Sequence, residues 1–192
     1  MQCGLISGSG DGRLWKGLAA GLAGGLVASW AMNRFQDVWS RLAAAGQELT
    51  GTPGSRRDVK RDAEQGVHPP PGDTQDDTTV RTASAISEIL FQHKLTAKEK
   101  KIGGTAVHYS LGTGVGGLYG AAAELAPEVT AGAGLPFGAA FWLVVDEGVV
   151  PALGLSKGPA GYPLATHLYA LSSHLVYGLT AEVVRRAVRN VL

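Results

Sequence analysis

Between Ile102 and Ala181 the chain runs for 80 residues with only five formal charges: Glu124, Glu128, Asp146, Glu147 and Lys157. A soluble two-layer domain places charge on most of its elements, about a quarter of its residues. Charge is instead concentrated in residues 34–101, which hold 21 of the 33 charges in the 192-residue chain. The net charge of +1 argues against nucleic acid as a partner, since such binders show a clear basic excess. Cys3 is the single cysteine, which excludes an internal disulfide or a CxxC zinc site.

Four segments are long enough for a hydrocarbon core, which takes about 20 apolar residues. They are Gly17–Asn33, Ile102–Ala123, Ala131–Leu155 (interrupted by Asp146 and Glu147) and Gly158–Ala181. Trp15, Trp30, Trp142, Tyr162 and Tyr177 are placed to anchor at interfaces where they fall near segment ends. The expected fold class is all-α: an integral membrane bundle of four transmembrane helices with a polar, partly disordered insert between the first and second. Its divisions are a tail at 1–12, helix one with an amphipathic extension at 13–45, the insert at 46–101, and three helices at 102–192. The competing readings, a soluble helical protein or a secretory signal in segment one, are weaker. The charge-free runs are too long for the first, and Ser29-Trp30-Ala31 is a poor cleavage site for the second.

Within the insert, Phe35, Val38, Trp39 and Leu42 fall at helical spacing and extend the first helix. Residues 50–79 are rich in Gly, Pro, Asp and Arg and read as a solvated linker. Val80, Ala83, Ile86, Ile89 and Leu90 mark a short amphipathic helix lying on the membrane or on the bundle. Thr96 and Glu99 have the spacing of a capping box, so helix two starts in water before Ile102.

Helices in lipid associate through close backbone approach and polar bridges. Gly17, Gly21 and Gly25 share one spacing of four, Gly112, Gly116 and Gly120 repeat it, and Gly134 and Gly138 contribute a third pair. Packing within the chain is preferred over self-association, because three segments carry the pattern. Tyr119-Gly120 and Tyr177-Gly178, each followed four residues on by Glu124 or Glu182, add a faint repeat of two hairpins.

The candidate path residues are His108, Asp146, Glu147, His167, His174 and Glu182. Counting along antiparallel helices at about 1.5 Å per residue puts the first four in one layer on the side of the insert, with His174 deeper. His167, His174, Gly178 and Glu182 fall within about 80° on one helix face. Ionisable groups at such depth cost about 2.5–3.5 kcal/mol for a central Asp or Lys, so they are expected to pair inside the bundle. Three roles are open: interhelical hydrogen bonding, a proton or cation path through imidazoles and carboxylates, or a metal held by His108, His167 and Asp146 or Glu147. Glu124, Glu128 and Glu182 can also sit simply at the water boundary. No cofactor is assigned. No His-Glu-x-x-His helix occurs, and no enzyme is indicated.

Tyr119–Leu125 with Pro127, the Gly134/Gly138 region, Pro151 with Gly154-Leu155, Pro163, Ser173–Tyr177 and Glu182–Arg186 with Arg189-Asn190 carry a further likeness. Over about residues 102–190 the chain resembles the YagU-type family of small bacterial inner-membrane proteins of unknown biochemical function. That resemblance implies a multi-pass protein of the bacterial inner membrane, loosely linked to acid or envelope stress, with no catalytic residues established. The partners it leaves open are the lipid bilayer, a second copy of the chain and another membrane protein. Arg13, Lys16, Arg185, Arg186 and Arg189 tip the expected orientation towards cytoplasmic termini, because a loop longer than about 60 residues translocates largely regardless of charge.

Overall fold

The computed structural model describes residues 9–49, 73–92 and 96–192, and these form five helices without strands. Of the linker read at 50–79, residues 50–72 lie outside the described residues, as does the start of the tail, while residues 73–79 are helical. Helix α1 is Ser9–Leu49, already helical at residues read as tail. Helix α2 is Asp73–Phe91 and α3 is Ala97–Leu125. Helix α4 begins at Leu135–Val144 and continues through a π-helical stretch, Val145–Val149, into a last turn, Val150–Ala152. Helix α5 is Leu164–Arg189.

Local sequence explains the ends. Thr96 caps α3: Glu99 N–H donates to its side chain, while the Glu99 carboxylate accepts from Thr96 N–H at 2.8 Å. Pro163 precedes α5 in an extended conformation, so the fourth segment is helical from Leu164 rather than Gly158. Segment three likewise starts at Leu135 rather than Ala131. Gly132, Ala133 and Gly134 take three successive positive φ values (70°, 54° and 83°) that turn the chain sharply into α4. Ala133 is the residue there that pays a left-handed penalty, whereas a Cβ on Gly134 would collide with the Gly178 carbonyl. Ala133→Gly should therefore raise stability by about 0.5–1 kcal/mol. Gly134→Ala should lower it, and melting of the two purified variants beside wild type checks both signs.

Helix α1 packs on α3 and on α5, α4 packs on α5, and α2 lies across α3. Gly17, Gly21 and Gly25 meet Gly120, Gly116 and Gly112 in antiparallel register, backbone against backbone. On its other side, Gly24 meets the Ala181 carbonyl of α5. Gly134, just before α4, and Gly138 of α4 rest on Gly178 and on the His174 carbonyl of α5. Val80 of α2 sits over Gly104 of α3, and Arg81 Nη1 donates to the Leu155 carbonyl at 3.3 Å. The buried face of α2 includes Ala83 and Ser87, while Ile86, read as part of the apolar face, points outward.

The distribution of side chains inverts the usual one. The interior is made of Gly, Ala, Ser29, Ser173, Tyr119, Tyr177, His174 and Glu182, whereas Leu26, Trp30, Leu118, Leu125, Leu143, Leu168 and Val183 face outward. Among the described residues, one stretch, Pro127–Ala152, in which the turn at 132–134 precedes α4, is long and apolar enough to cross a membrane. The expected count of four is thus not reached on length and apolarity. Glycines and the polar residues on the packed faces dilute the apolar character of α1, α3 and α5.

Candidate functional site

At the end of the bundle covered by α2, a cavity of about 280 Å³ opens between α1, α3, α4 and α5. Most of its wall is apolar, supplied by side chains such as Met32, Leu111, Phe141, Val150 and Leu153. Five of the six sequence-selected path residues line it: His108 from α3, Asp146 and Glu147 from α4, His167 and His174 from α5. Glu182 does not. His108 lies edge-on to Tyr109, with ring centres 5.6 Å apart.

The π-helical stretch of α4 positions the two carboxylates. In a regular α-helix, adjacent residues point about 100° apart. Here both neighbours reach α5, each pairing with a different histidine. Such an inserted residue in a helix is often found where function requires a side chain to be re-aimed. Glu147 Oε1 lies 2.6 Å from His167 Nδ1, and His167 Nε2 lies 3.0 Å from the Pro159 carbonyl. Since the carbonyl can only accept, His167 carries a proton on Nε2. The short contact on Nδ1 then requires a second proton, on the imidazole or on Glu147. Either way this pair is neutral overall.

The deeper pair is different. His174, 2 % exposed, places Nδ1 at 2.9 Å from the Ala170 carbonyl and so donates there. Its Nε2 faces Asp146 Oδ2 across 3.7 Å, too long for a hydrogen bond. The Phe141 ring lies edge-on to the imidazole at 5.1 Å.

Below His174 the cavity ends on rings. Phe141 and Tyr177 are 5.2 Å apart, Phe137 is 6.1 Å from Tyr177, and Tyr119 stacks on Phe137 at 4.0 Å. Tyr177 Oη donates to the Gly112 carbonyl at 2.5 Å, tying α5 to the glycine face of α3. These rings lie between the cavity and Glu182.

Glu182 instead belongs to a charged layer that sequence reasoning left at the water boundary. Its carboxylate, 1 % exposed, accepts from Tyr119 Oη at 2.9 Å, from Arg185 Nε and Nη2 at 2.7 and 2.9 Å, and from Arg186 Nε. Beside it, Arg189 Nε and Nη2 donate to Glu124 at 2.5 and 3.2 Å, and Arg13 lies 3.8 Å from the same carboxylate. The signal for Glu182 was present in the sequence, since Arg185 and Arg186 follow at three and four residues, within reach on a helix.

Among the described residues no three His, Cys, Asp or Glu side chains gather as metal ligands. The proposed set of His108, His167 and one carboxylate is not assembled, because both His167 nitrogens are engaged by Glu147 and Pro159.

No curated protein and no solved structure matches the chain. A family does, and its match takes in most of the insert together with α2, which the likeness confined to residues 102–190 had left out. That extent agrees with the packing of α2 on α3 beside the cavity. With residues 57–183 matched, more than half of its length, the chain belongs to the family described as "Protein of unknown function (DUF1440)".

Proposed function

We propose that this protein is a four-span bundle of the bacterial inner membrane, with α1, α3, α4 and α5 as the spans. In this reading the His/carboxylate cavity is a one-sided binding recess on a scaffold, and not a conduit or an active site. The membrane reading is supported by the inverted distribution of side chains. Small and polar residues pack inside because lipid tails offer no hydrophobic gain for burying leucine, whereas close backbone approach and interhelical hydrogen bonds do hold helices together. The likeness to YagU-type proteins supplies the bacterial inner-membrane location and the loose link to acid or envelope stress.

The observation that carries the one-sided reading is the ring cluster of Phe137, Phe141, Tyr177 and Tyr119 beneath His174. A proton path needs a continuous row of exchanging groups, and Glu182 on the far side is held by two arginines and a tyrosine. No catalytic step is assigned.

Two measurements test this reading. The protein should stay with membranes through an alkaline wash and come out only with detergent. In proteoliposomes under a pH gradient, proton flux should equal that of protein-free vesicles. Flux above that background, abolished by His174→Ala, would establish the conduit instead.

A further inference from the structure

We propose that the cavity takes in a segment of one hydrocarbon chain of a bilayer phospholipid, which enters sideways between α3 and α4. This rests on the reading of the cavity as a one-sided recess in a membrane bundle. Helix α3 lies against α1 and helix α4 against α5, so α3 and α4 flank the recess from opposite sides. Leu111 of α3, Val149 of α4 and Leu153 just past its end line the cavity and are also exposed. They mark a mouth that opens sideways, onto the surface that meets lipid in this reading. Opposite the mouth, Met32 of α1 and Tyr177 of α5 are buried and form the back wall. Below it, Tyr119 of α3 stacks on Phe137 of α4 at 4.0 Å and closes the gap between the two helices.

The lining dictates the guest. Its carboxylates are turned to partners of their own: Glu147 is bonded to His167, and Asp146 faces His174. Most of the remaining wall is hydrocarbon and aromatic ring, which disfavours water and accepts apolar guests. An apolar cavity of about 150 Å³ holds a benzene, so about 280 Å³ admits a chain segment and not a two-chain lipid. The direction of the mouth settles the source. A chain already in hydrocarbon gains little by transfer, but a shaped protein wall offers it closer packing than liquid-like neighbours do. Phe141 and Tyr177, 5.2 Å apart, stand across its path and limit how deep it reaches.

The test places the full chain in nanodiscs of phosphatidylglycerol and phosphatidylethanolamine whose acyl chains carry a diazirine at mid-chain. After irradiation, mass spectrometry maps the labelled side chains. Phe141, half-buried on the lining, should be labelled together with Leu118, which faces outward. Val150→Trp, which puts bulk into the recess, should lower labelling of Phe141 by about tenfold and leave Leu118 unchanged. Should Val150→Trp fail to fold, Leu111→Trp, which narrows the mouth, is expected to do the same. The comparison of Phe141 with Leu118 in the wild-type protein stands without either variant. Labelling of Leu118 alone, or labelling of Phe141 that a folded variant leaves undiminished, overturns the proposal. Either result with vesicles still proton-tight removes the chain site alone, whereas proton flux, or release of the protein by an alkaline wash, removes the reading beneath it.

Discussion

Glu182→Ala is expected to destabilise the bundle by about 3–5 kcal/mol, as when one member of a buried ion pair is removed. The reason is what stays behind. Arg185, itself buried, loses both its bidentate bonds, and Tyr119 Oη loses its acceptor. Glu182→Gln keeps the shape and one acceptor and should lose less. Thermal unfolding of the two variants in detergent gives the order, and an alanine variant as stable as wild type would show that the layer is decorative.

Gly116→Leu should be comparably severe, at about 3 kcal/mol or more, because it forces bulk into a filled space. A Cβ at Gly116 would meet the Gly25 backbone and the Gly21 carbonyl, and backbone cannot rotate aside as a side chain can. The α1/α3 seam would have to open along its length, taking Gly17 and Gly120 with it. Gly114, with open space around its position, is the control: Gly114→Leu should be tolerated, apart from the helix propensity it gains. Cross-linking between single cysteines placed on α1 and α3 should fall in the first variant and persist in the second. Equal stability of both would mean that the seam is not a close contact.

Which features could be read from residues alone follows from the range of the forces that make them. The capping box at Thr96 and Glu99 is local, so spacing suffices to find it. The glycine spacings of 17/21/25 and 112/116/120 are visible in the sequence, but which row faces which depends on the register of two distant helices. Counting rise per residue groups His108, Asp146, Glu147 and His167 by depth, and all four line the cavity. The pairing of adjacent carboxylates with separate histidines was not legible, since it depends on a π-helical stretch that an ideal helical wheel omits. The positive φ values at residues 132–134 were hidden for a related reason: Ala133 carries no turn preference of its own. Glu182 was assigned by its helix face alone, while its position along the axis puts it beyond the aromatic rings and with the arginines.

Among the described residues, helix α1 packs chiefly on α3 and α5, far along the chain. It therefore leaves the ribosome before the helices that surround it. Until α3 arrives, its row of glycines offers neighbours a notch without an occupant, and a newly made copy of any helix with a small-residue face could settle there. Biogenesis of this protein must shelter that notch during the interval, and the longer the delay between the first and later helices, the greater the opportunity for the wrong pairing.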